Sequence, residues 1–467
     1  MKLKKIYDLS FLCIIIFAAA AYVLLMFNGA VWYDEAYSMA MIRHSFGEIC
    51  QITAQDVHPP LYYFMLKIFT APFGYSLAAA KVFSIIPLLL TLVLGYVKLS
   101  ELVNKKTGLM FSLMLAMLPV MTTFSVEIRM YGWAALFVTG CGLFAYSAQQ
   151  SGRVRDYVFF ALFGTLAAYT HYFAMVSAGV IYAMLFIRCI KIKKLKPFLL
   201  STAGTVLLYL PWLAAFISQL ADKVENAYWI APITLSTVLN YFTVWFGCGD
   251  FTAVYLTLIA ILAVVSVTLL ILNGDKKLNA AALCAALVFV LTNVIGIAAS
   301  AAVRPVFIER YAIPALPLLI AAGAMGLSLI TKKAVTVVIA LFFIAGFGAN
   351  YPSAVRTEYD ATELKIEQYL NEAQYEALVC YVDSHLYGVL SYYAGDAPVY
   401  RPRLSKGSPF ENIYALSDFD MASCKWAALF VPAGDPVPEE IAAHFNADYV
   451  RTVYTYGIAC DMYNLWK

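Results

Sequence analysis

The sequence predicts a polytopic α-helical membrane protein of about eleven transmembrane helices, carrying a small α/β domain outside the membrane at its C-terminal end. Three observations predict it. Of 467 residues, 62% are hydrophobic and only 13% charged, too few charges to solvate a surface of that length. Apolar runs of about twenty residues, enough for a helix that satisfies its own backbone to cross the hydrocarbon core, recur over the first 350 positions. The composition then inverts: 24 basic and 13 acidic residues up to Asn350, 8 basic and 16 acidic after it. The domains accordingly read 1–350 for the transmembrane part, including a first outer loop at 29–75, and 351–467 for a soluble extracytoplasmic α/β domain.

The runs lie near 9–28, 76–100, 108–123, 131–150, 157–170, 173–190, 197–219, 251–272, 279–301, 311–330 and 334–350. Lys and Arg stay cytoplasmic when short loops are threaded. Lys2, Lys4 and Lys5; Lys105 and Lys106; Arg153 and Arg155; Lys191, Lys193, Lys194 and Lys196; Lys276 and Lys277; Lys332 and Lys333 all fall at inner turns of this arrangement. It puts the N-terminus in the cytoplasm and the C-terminal domain outside the plasma (inner) membrane. Segment 58–73 is apolar enough to invite a further span, but a span there would move every later basic cluster outside. It reads instead as an amphipathic helix on the outer face. The N-terminal run resembles a signal peptide, yet Asp34 and Glu35 follow so closely that an uncleaved first span is expected.

In the last 117 residues, helices are expected at 358–374, Leu386–Tyr393 and 439–445. Strands are expected at 377–382, 427–431, 449–456 and 458–465. The nine cysteines are odd in number and scattered, so they define neither a disulfide framework nor a metal site. There is no phosphate-binding glycine loop, dinucleotide fingerprint or metalloprotease motif, and no internal repeat. A nucleotide-driven pump is therefore disfavoured, and neither a nucleotide nor a nucleic-acid partner is expected.

The interiors of the runs are almost free of charge, unlike ion-coupled carriers, which hold ionisable groups at mid-membrane. The ionisable residues gather at the outer ends instead: Asp34, Glu35, Asp56, His58, Glu127, Arg129, His171, Arg304, Glu309 and Arg310, with Lys81 near the outer end of the second run. Such a mouth, wet on one side and apolar on the other, suits a reaction between a water-borne acceptor and a lipid-borne donor. A carboxylate, Asp34 or Glu35, takes a proton from an acceptor hydroxyl, and fixed cations, Arg129 and Arg310, hold a leaving phosphate. Plainer readings stand beside these. Glu127 and Arg129 also read as a structural pair at a helix end. Glu309 and Arg310 also read as interfacial anchors. His171 and Tyr172, in Tyr169-Thr170-His171-Tyr172, also read as part of an aromatic belt. Tyr62 also reads as interfacial packing rather than a sugar platform.

Trp32-Tyr33-Asp34-Glu35-Ala36-Tyr37, followed by Asp56-Val57-His58-Pro59-Pro60-Leu61-Tyr62-Tyr63, resembles the first outer loop of bacterial family 39-like glycosyltransferases of the GT-C fold, the relatives of protein O-mannosyltransferases and of the lipid A aminoarabinose transferase. Glu127-Ile128-Arg129-Met130-Tyr131, Tyr169-Thr170-His171-Tyr172 and Glu309-Arg310-Tyr311 also look like that family's later motifs, in the same order. The resemblance implies a polyprenyl-phosphate-linked sugar donor and an inverting transfer to an acceptor hydroxyl on the outer face of the membrane, in cell-envelope glycan, lipid or protein glycosylation. Carried onto this chain, it makes Asp34 the general base with Glu35 positioning it or the acceptor. Asp56 and His58 shape the sugar site, and Arg129 and Arg310, helped by Lys81, bind the phosphate. Tyr62, Glu127, Tyr131, His171, Tyr172 and Tyr311 complete the substrate-binding set. The sequence leaves a divalent metal open, with Asp34, Asp56, His58, Glu127 and His171 as candidate ligands if the loops converge. The sugar and the acceptor also stay open. The rival readings are a carrier or flippase for polyprenyl-linked saccharides, disfavoured by the uncharged span interiors, and a non-catalytic envelope assembly subunit.

Overall fold

The computed structural model describes residues 2–225, 230–372, 374–382, 385–404, 408–455 and 458–467. The chain divides into two compact units. The first comprises Met1–Met26, Val57–Met65 and Ala78–Ala354. The second comprises Phe27–Asp56, Leu66–Leu77 and Val355–Lys467.

The first unit is helical. Every apolar run expected from the sequence forms helix, and among the described residues eight helices are long and apolar enough to cross a membrane. The other three runs have physical reasons for falling short. The run at 108–123 breaks after Lys105–Ala116, because Pro119 opens a separate helix, Pro119–Thr123. Val154–Thr170 is only 17 residues long. Tyr131–Ser151 is long enough, but it carries glycines, Thr139, Ser147, Gln149 and Gln150, and most of its side chains are buried, the pattern of an interior helix. The segment expected to lie at the interface forms the helix Leu61–Thr70 and a 3₁₀ turn, Ala71–Phe73. At 1.5 Å per residue its 10 helical residues reach about 15 Å, half the hydrocarbon thickness, so it is not a further span.

Helices in lipid associate through close packing rather than through a hydrophobic drive, so small residues mark their contacts. Leu77–Leu102 and Lys105–Ala116 form such a pair. A Cβ on Gly95 would fall 1.9 Å from the ring of Phe111, and one on Gly108 would fall 2.7 Å from the carbonyl oxygen of Tyr96. Gly132 lets the start of Tyr131–Ser151 close on Pro87 in the same way, with 3.1 Å left for a Cβ. Some of the buried polar groups inside this unit find partners nearby. Buried Lys98 donates to Glu101 at 2.9 Å and to the Ser147 hydroxyl at 3.4 Å, and Ser147 donates to Asp156 at 3.0 Å.

The second unit is built on a six-stranded sheet: β1 Ala377–Cys380, β2 Val399–Arg401, β3 Ile413–Ala415, β4 Trp426–Pro432, β5 Asn446–Thr455 and β6 Ile458–Trp466. Its order is β3-β2-β1-β4-β6-β5. The β1, β2, β3 and β4 pairings are parallel, whereas β6 runs antiparallel to both β4 and β5. The α/β class and the helix Leu386–Tyr393 agree with the sequence reading. The helix expected at 358–374 starts later, at Thr362–Glu372, because Lys333–Tyr359 continues through the composition break before it ends. Strands β2 and β3 have only three residues each, too short to leave an alternating pattern.

Residues 27–56 pack onto this sheet unit. Val31 and Ala36 belong to its core with Leu378, Leu386, Leu390 and Phe430. The Tyr393 hydroxyl bridges the strand-like lead-in, accepting from Val31 N–H and donating to the Gly29 carbonyl, both at 2.9 Å. Tyr33 stacks on His385 at 4.3 Å between centroids and shares a 2.9 Å hydrogen bond with the Tyr387 hydroxyl. Gly388 leaves room for that ring, since a Cβ there would lie 2.6 Å from it.

The Gly95–Phe111 contact generates a prediction. Gly95→Ala forces the fully buried Phe111 ring to move and should destabilise the helical unit by about 1–3 kcal/mol. Thermal unfolding in detergent should show a lower midpoint, with Phe111→Leu restoring much of the loss in the double variant. An unchanged midpoint for Gly95→Ala would refute the close approach.

Candidate active site

In the helical unit the candidate residues are brought to one end of the bundle by short, irregular segments between helices. His171 interrupts two of them, ending Val154–Thr170 and starting Tyr172–Lys191 with extended dihedrals (φ −158°, ψ 136°). Its Nδ1 accepts the Phe173 N–H at 3.1 Å, capping the second helix. In the neutral ring that leaves the proton on Nε2, which has no hydrogen-bond partner among the described residues. Burial in the first place, then the positive charges of Arg129 and Arg310, push the imidazole down to about 3, so it is uncharged at neutral pH.

Around His171 stand His58, Tyr131 and Tyr311, with ring centroids 5.3, 5.7 and 4.9 Å away. Tyr131 begins its helix, and the Arg310 guanidinium lies 5.9 Å from its ring centroid. Arg129, buried in the turn before that helix, donates from Nη1 to the Tyr63 hydroxyl at 3.4 Å. Its backbone N–H bonds the Glu127 carbonyl at 2.7 Å, which leaves Glu127 half-buried at the same turn. Arg310 and Tyr311 are carried by a 3₁₀ segment, Glu309–Ala315. The neighbouring helix Leu235–Phe246 holds that segment in place: the Tyr241 hydroxyl donates to the Phe307 carbonyl at 3.2 Å and Trp245 Nε1 to the Glu309 carbonyl at 2.8 Å. Tyr62 is fully buried and packs edge-on to Tyr63 at 5.4 Å and near Phe83 at 6.0 Å. Lys81, two residues before Phe83 on Leu77–Leu102, is fully buried as well. An ammonium removed from water at that depth is rarely retained without a partner or a task.

Beside this cluster a largely apolar cavity of about 260 Å³ opens between helices, lined by His58, His171, Tyr172, Arg304 and Tyr311 together with Phe216, Leu220 and Ile295. Tyr172 holds one wall through a hydrogen bond to Gln219 Oε1 and accepts from Trp212 Nε1 at 3.1 Å. Gln219 and Trp212 were not singled out by the sequence reading. Gln219 is a buried amide at the end of the apolar run 197–219 in the helix Leu195–Glu225, and that contrast is the available signal.

The remaining candidates, Asp34, Glu35 and Asp56, belong to the second unit. Asp34 and Glu35 lie in the first turn of the helix Tyr33–Met41, where acidic residues complement the helix dipole. Their roles in that turn differ. The Glu35 carboxylate is buried and accepts the Trp32 N–H at 3.2 Å, closing the helix start. Asp34 is half-buried. Asp56 ends the helix Phe46–Gln55 and accepts from the Tyr37 hydroxyl at 3.3 Å. Burial above all, the Tyr387 hydroxyl next and then the charges of Asp34 and Asp56 hold the Tyr33 hydroxyl far above its ordinary range, so it remains protonated. Both carboxylates thus bear on Tyr33. Among the described residues, no three His, Cys, Asp or Glu side chains are grouped to hold a metal ion.

The buried His171 predicts an acid-sensitive fold. Its folded-state pKa is depressed from 6.5 to about 3, so the unfolded state binds the extra proton between those values. Stability conferred at neutral pH is therefore lost as pH falls below about 6.5, by up to about 1.4 kcal/mol per pH unit. Unfolding followed from pH 7 to pH 4 should show this slope in the wild type and a shallower one in His171→Gln. Equal slopes would show that the imidazole does not titrate against the fold.

Residues 57–214 match the protein family described as dolichyl-phosphate-mannose-protein mannosyltransferase. Among curated proteins no sequence matches the chain. Among solved structures, ArnT from Cupriavidus metallidurans in the apo state is similar over 97% of both chains, with a TM-score of 0.68 at 9% identity. The same protein bound to undecaprenyl phosphate gives a TM-score of 0.65 at 10% identity over 97% of both chains. At such identity the likeness is one of fold, and it extends through the C-terminal unit.

Proposed function

We propose that this chain, a multi-pass membrane protein with the GT-C fold, transfers a sugar from a polyprenyl-phosphate-linked donor to an acceptor hydroxyl, with inversion, on the outer face of the plasma membrane. The observation that carries the reading is the convergence of Arg129, Arg310 and neutral His171 at one end of the helical bundle, beside a largely apolar cavity that His58, His171 and Arg304 also line. The fold shared with a protein crystallised with undecaprenyl phosphate and the mannosyltransferase family match over 57–214 support it.

In the proposed reaction Asp34 takes the proton of the acceptor hydroxyl as its oxygen attacks the anomeric carbon. The bond from that carbon to the donor phosphate oxygen breaks, and polyprenyl phosphate leaves with the electron pair. Asp34 is favoured over Glu35 because the Glu35 carboxylate already closes its own helix start. Asp56 and His58 contact the sugar, with Tyr62, Glu127, Tyr131, Tyr172 and Tyr311 completing the substrate-binding set. Arg129 and Arg310, supported by Lys81, favour the charge that develops on the phosphate. His171 adds a neutral N–H donor from Nε2 in a water-poor setting, where a hydrogen bond is strengthened. The polyprenyl tail contributes apolar burial that is the same before and during reaction, and so sets affinity rather than rate.

The test is transfer of radiolabelled sugar from synthetic polyprenyl-phosphate donors in proteoliposomes. Wild type should release polyprenyl phosphate. Asp34→Asn should lower the rate by about 10²-fold or more, while Glu35→Gln should lower thermal stability more than Asp34→Asn does. Arg310→Gln should act chiefly through kcat/KM for the donor. Movement of the intact donor between leaflets by both wild type and Asp34→Asn, without release, would replace this reading by a carrier.

A further inference from the structure

A second cavity, of about 370 Å³, lies in the same helical unit and shares no lining residue with the first. Three helices connect the two. Tyr131–Ser151 starts beside His171 and brings Gln149 and Gln150 to the second cavity. Tyr172–Lys191 starts at His171 and brings Arg188. Lys276–Ala302 places Ala299 at the first cavity and Lys276 and Lys277 at the second. From residue 172 to 188 the rise is about 24 Å, and from 277 to 299 about 33 Å. That separation matches the thickness of a bilayer core, so the second cavity opens at the opposite membrane surface.

Its chemistry is two-sided. Arg188, Lys276 and Lys277 stand at the mouth, all exposed, and none carries an ion pair among the described residues. The acid next to them, Asp275, is engaged by the backbone, accepting from the N–H groups of Lys277 and Leu278 at 2.8 and 2.7 Å. Apart from Tyr146, Gln149 and Gln150, the rest of the lining is apolar and includes Leu143, Ile181, Leu185, Val288 and Met325, with Ile181, Leu185 and Val288 about one to three turns inward from the cations on the same helices. A soluble anion would be served by the cations alone, whereas a greasy floor directly beneath three cations at a membrane surface fits an anion attached to hydrocarbon.

We propose that this cavity binds the headgroup of an anionic glycerophospholipid, with Arg188, Lys276 and Lys277 on the phosphate and the first carbons of the acyl chains on the apolar floor. Basic pockets between membrane helices recognise anionic headgroups by this combination. The site lies far from the groups assigned to sugar transfer, and the proposal stands whether or not that assignment holds.

The experiment is lipid binding by the purified full chain in detergent, read by native mass spectrometry with phosphatidylglycerol and phosphatidylcholine. The variant Arg188→Gln/Lys276→Gln/Lys277→Gln is compared with Lys191→Gln/Lys193→Gln/Lys194→Gln, which removes the same charge outside the cavity. Wild type and the second variant should retain phosphatidylglycerol at least tenfold better than phosphatidylcholine, and the first variant should lose that preference. Lipid-free thermal unfolding of both variants checks that they are folded. If the first variant is unfolded, the single Lys277→Gln chain takes its place, with a smaller loss of preference expected. Equal loss in both triple variants would reduce the effect to general charge and overturn the site. Equal retention of the two lipids by wild type, or displacement of phosphatidylglycerol by millimolar inorganic phosphate, would overturn it as well.

Discussion

Water is absent from most of the surroundings of this chain, and an ionisable group kept from water is costly unless it is neutral, paired or in use. That constraint governs the distribution of charge in the helical unit. His171 answers it by staying neutral, with one nitrogen capping a helix. Lys98 and Asp156 answer it through a shared serine, Ser147, at the other end of the bundle. Arg129 and Arg310 answer it with tyrosine, one through a hydrogen bond to Tyr63 and one over the ring of Tyr131. The ionisable side chains are gathered at helix ends because helix ends are where the bilayer stops.

The same constraint shapes the backbone. Helix boundaries that carry candidate residues are not left open: His171 caps one, the Tyr241 hydroxyl and the Trp245 indole hold the carbonyls around Arg310, and the Arg129 turn is closed by its own N–H to Glu127. Some of the orphan polar groups of these helix ends are thereby satisfied within the protein. Segments held in this way are preorganised, which is the condition for electrostatic stabilisation of a developing charge to affect the rate of the proposed transfer.

The second unit contributes a different kind of support. Its sheet is ordinary in composition, but it takes up a segment more than three hundred residues earlier in the chain: Val31 and Ala36 enter its core, and Tyr33 is held by His385 and Tyr387. The paired acids Asp34 and Glu35 are therefore fixed by packing within the second unit. Within that pair the structure separates what a sequence cannot, because Asp34 and Glu35 are adjacent and chemically alike, yet only Glu35 lies at the third helical position, where a carboxylate reaches back to the helix start.

Much of this was legible in the residues themselves. Apolar runs in lipid must satisfy their own backbone, so they are mostly helix, with a break before Pro119, and the α/β class of the C-terminal unit follows from runs that alternate or cluster with a defined period. The motifs around His58, Arg129, His171 and Arg310 marked the end of the bundle where an imidazole, two guanidiniums and a cavity meet. The interruption at Pro119, the three-residue strands β2 and β3, and the roles of Gln219 and Trp212 were not legible, because each depends on neighbours distant in sequence. The same holds for the partnership of residues 27–56 with a sheet that begins at Ala377. The sequence by itself determined which segments could enter a membrane and which side chains could do chemistry, since both follow from local composition. Only tertiary structure decided which of those side chains share a cavity, which carboxylate is spent on a helix start and which segment packs on the sheet, since these are set by contacts between residues far apart in the chain.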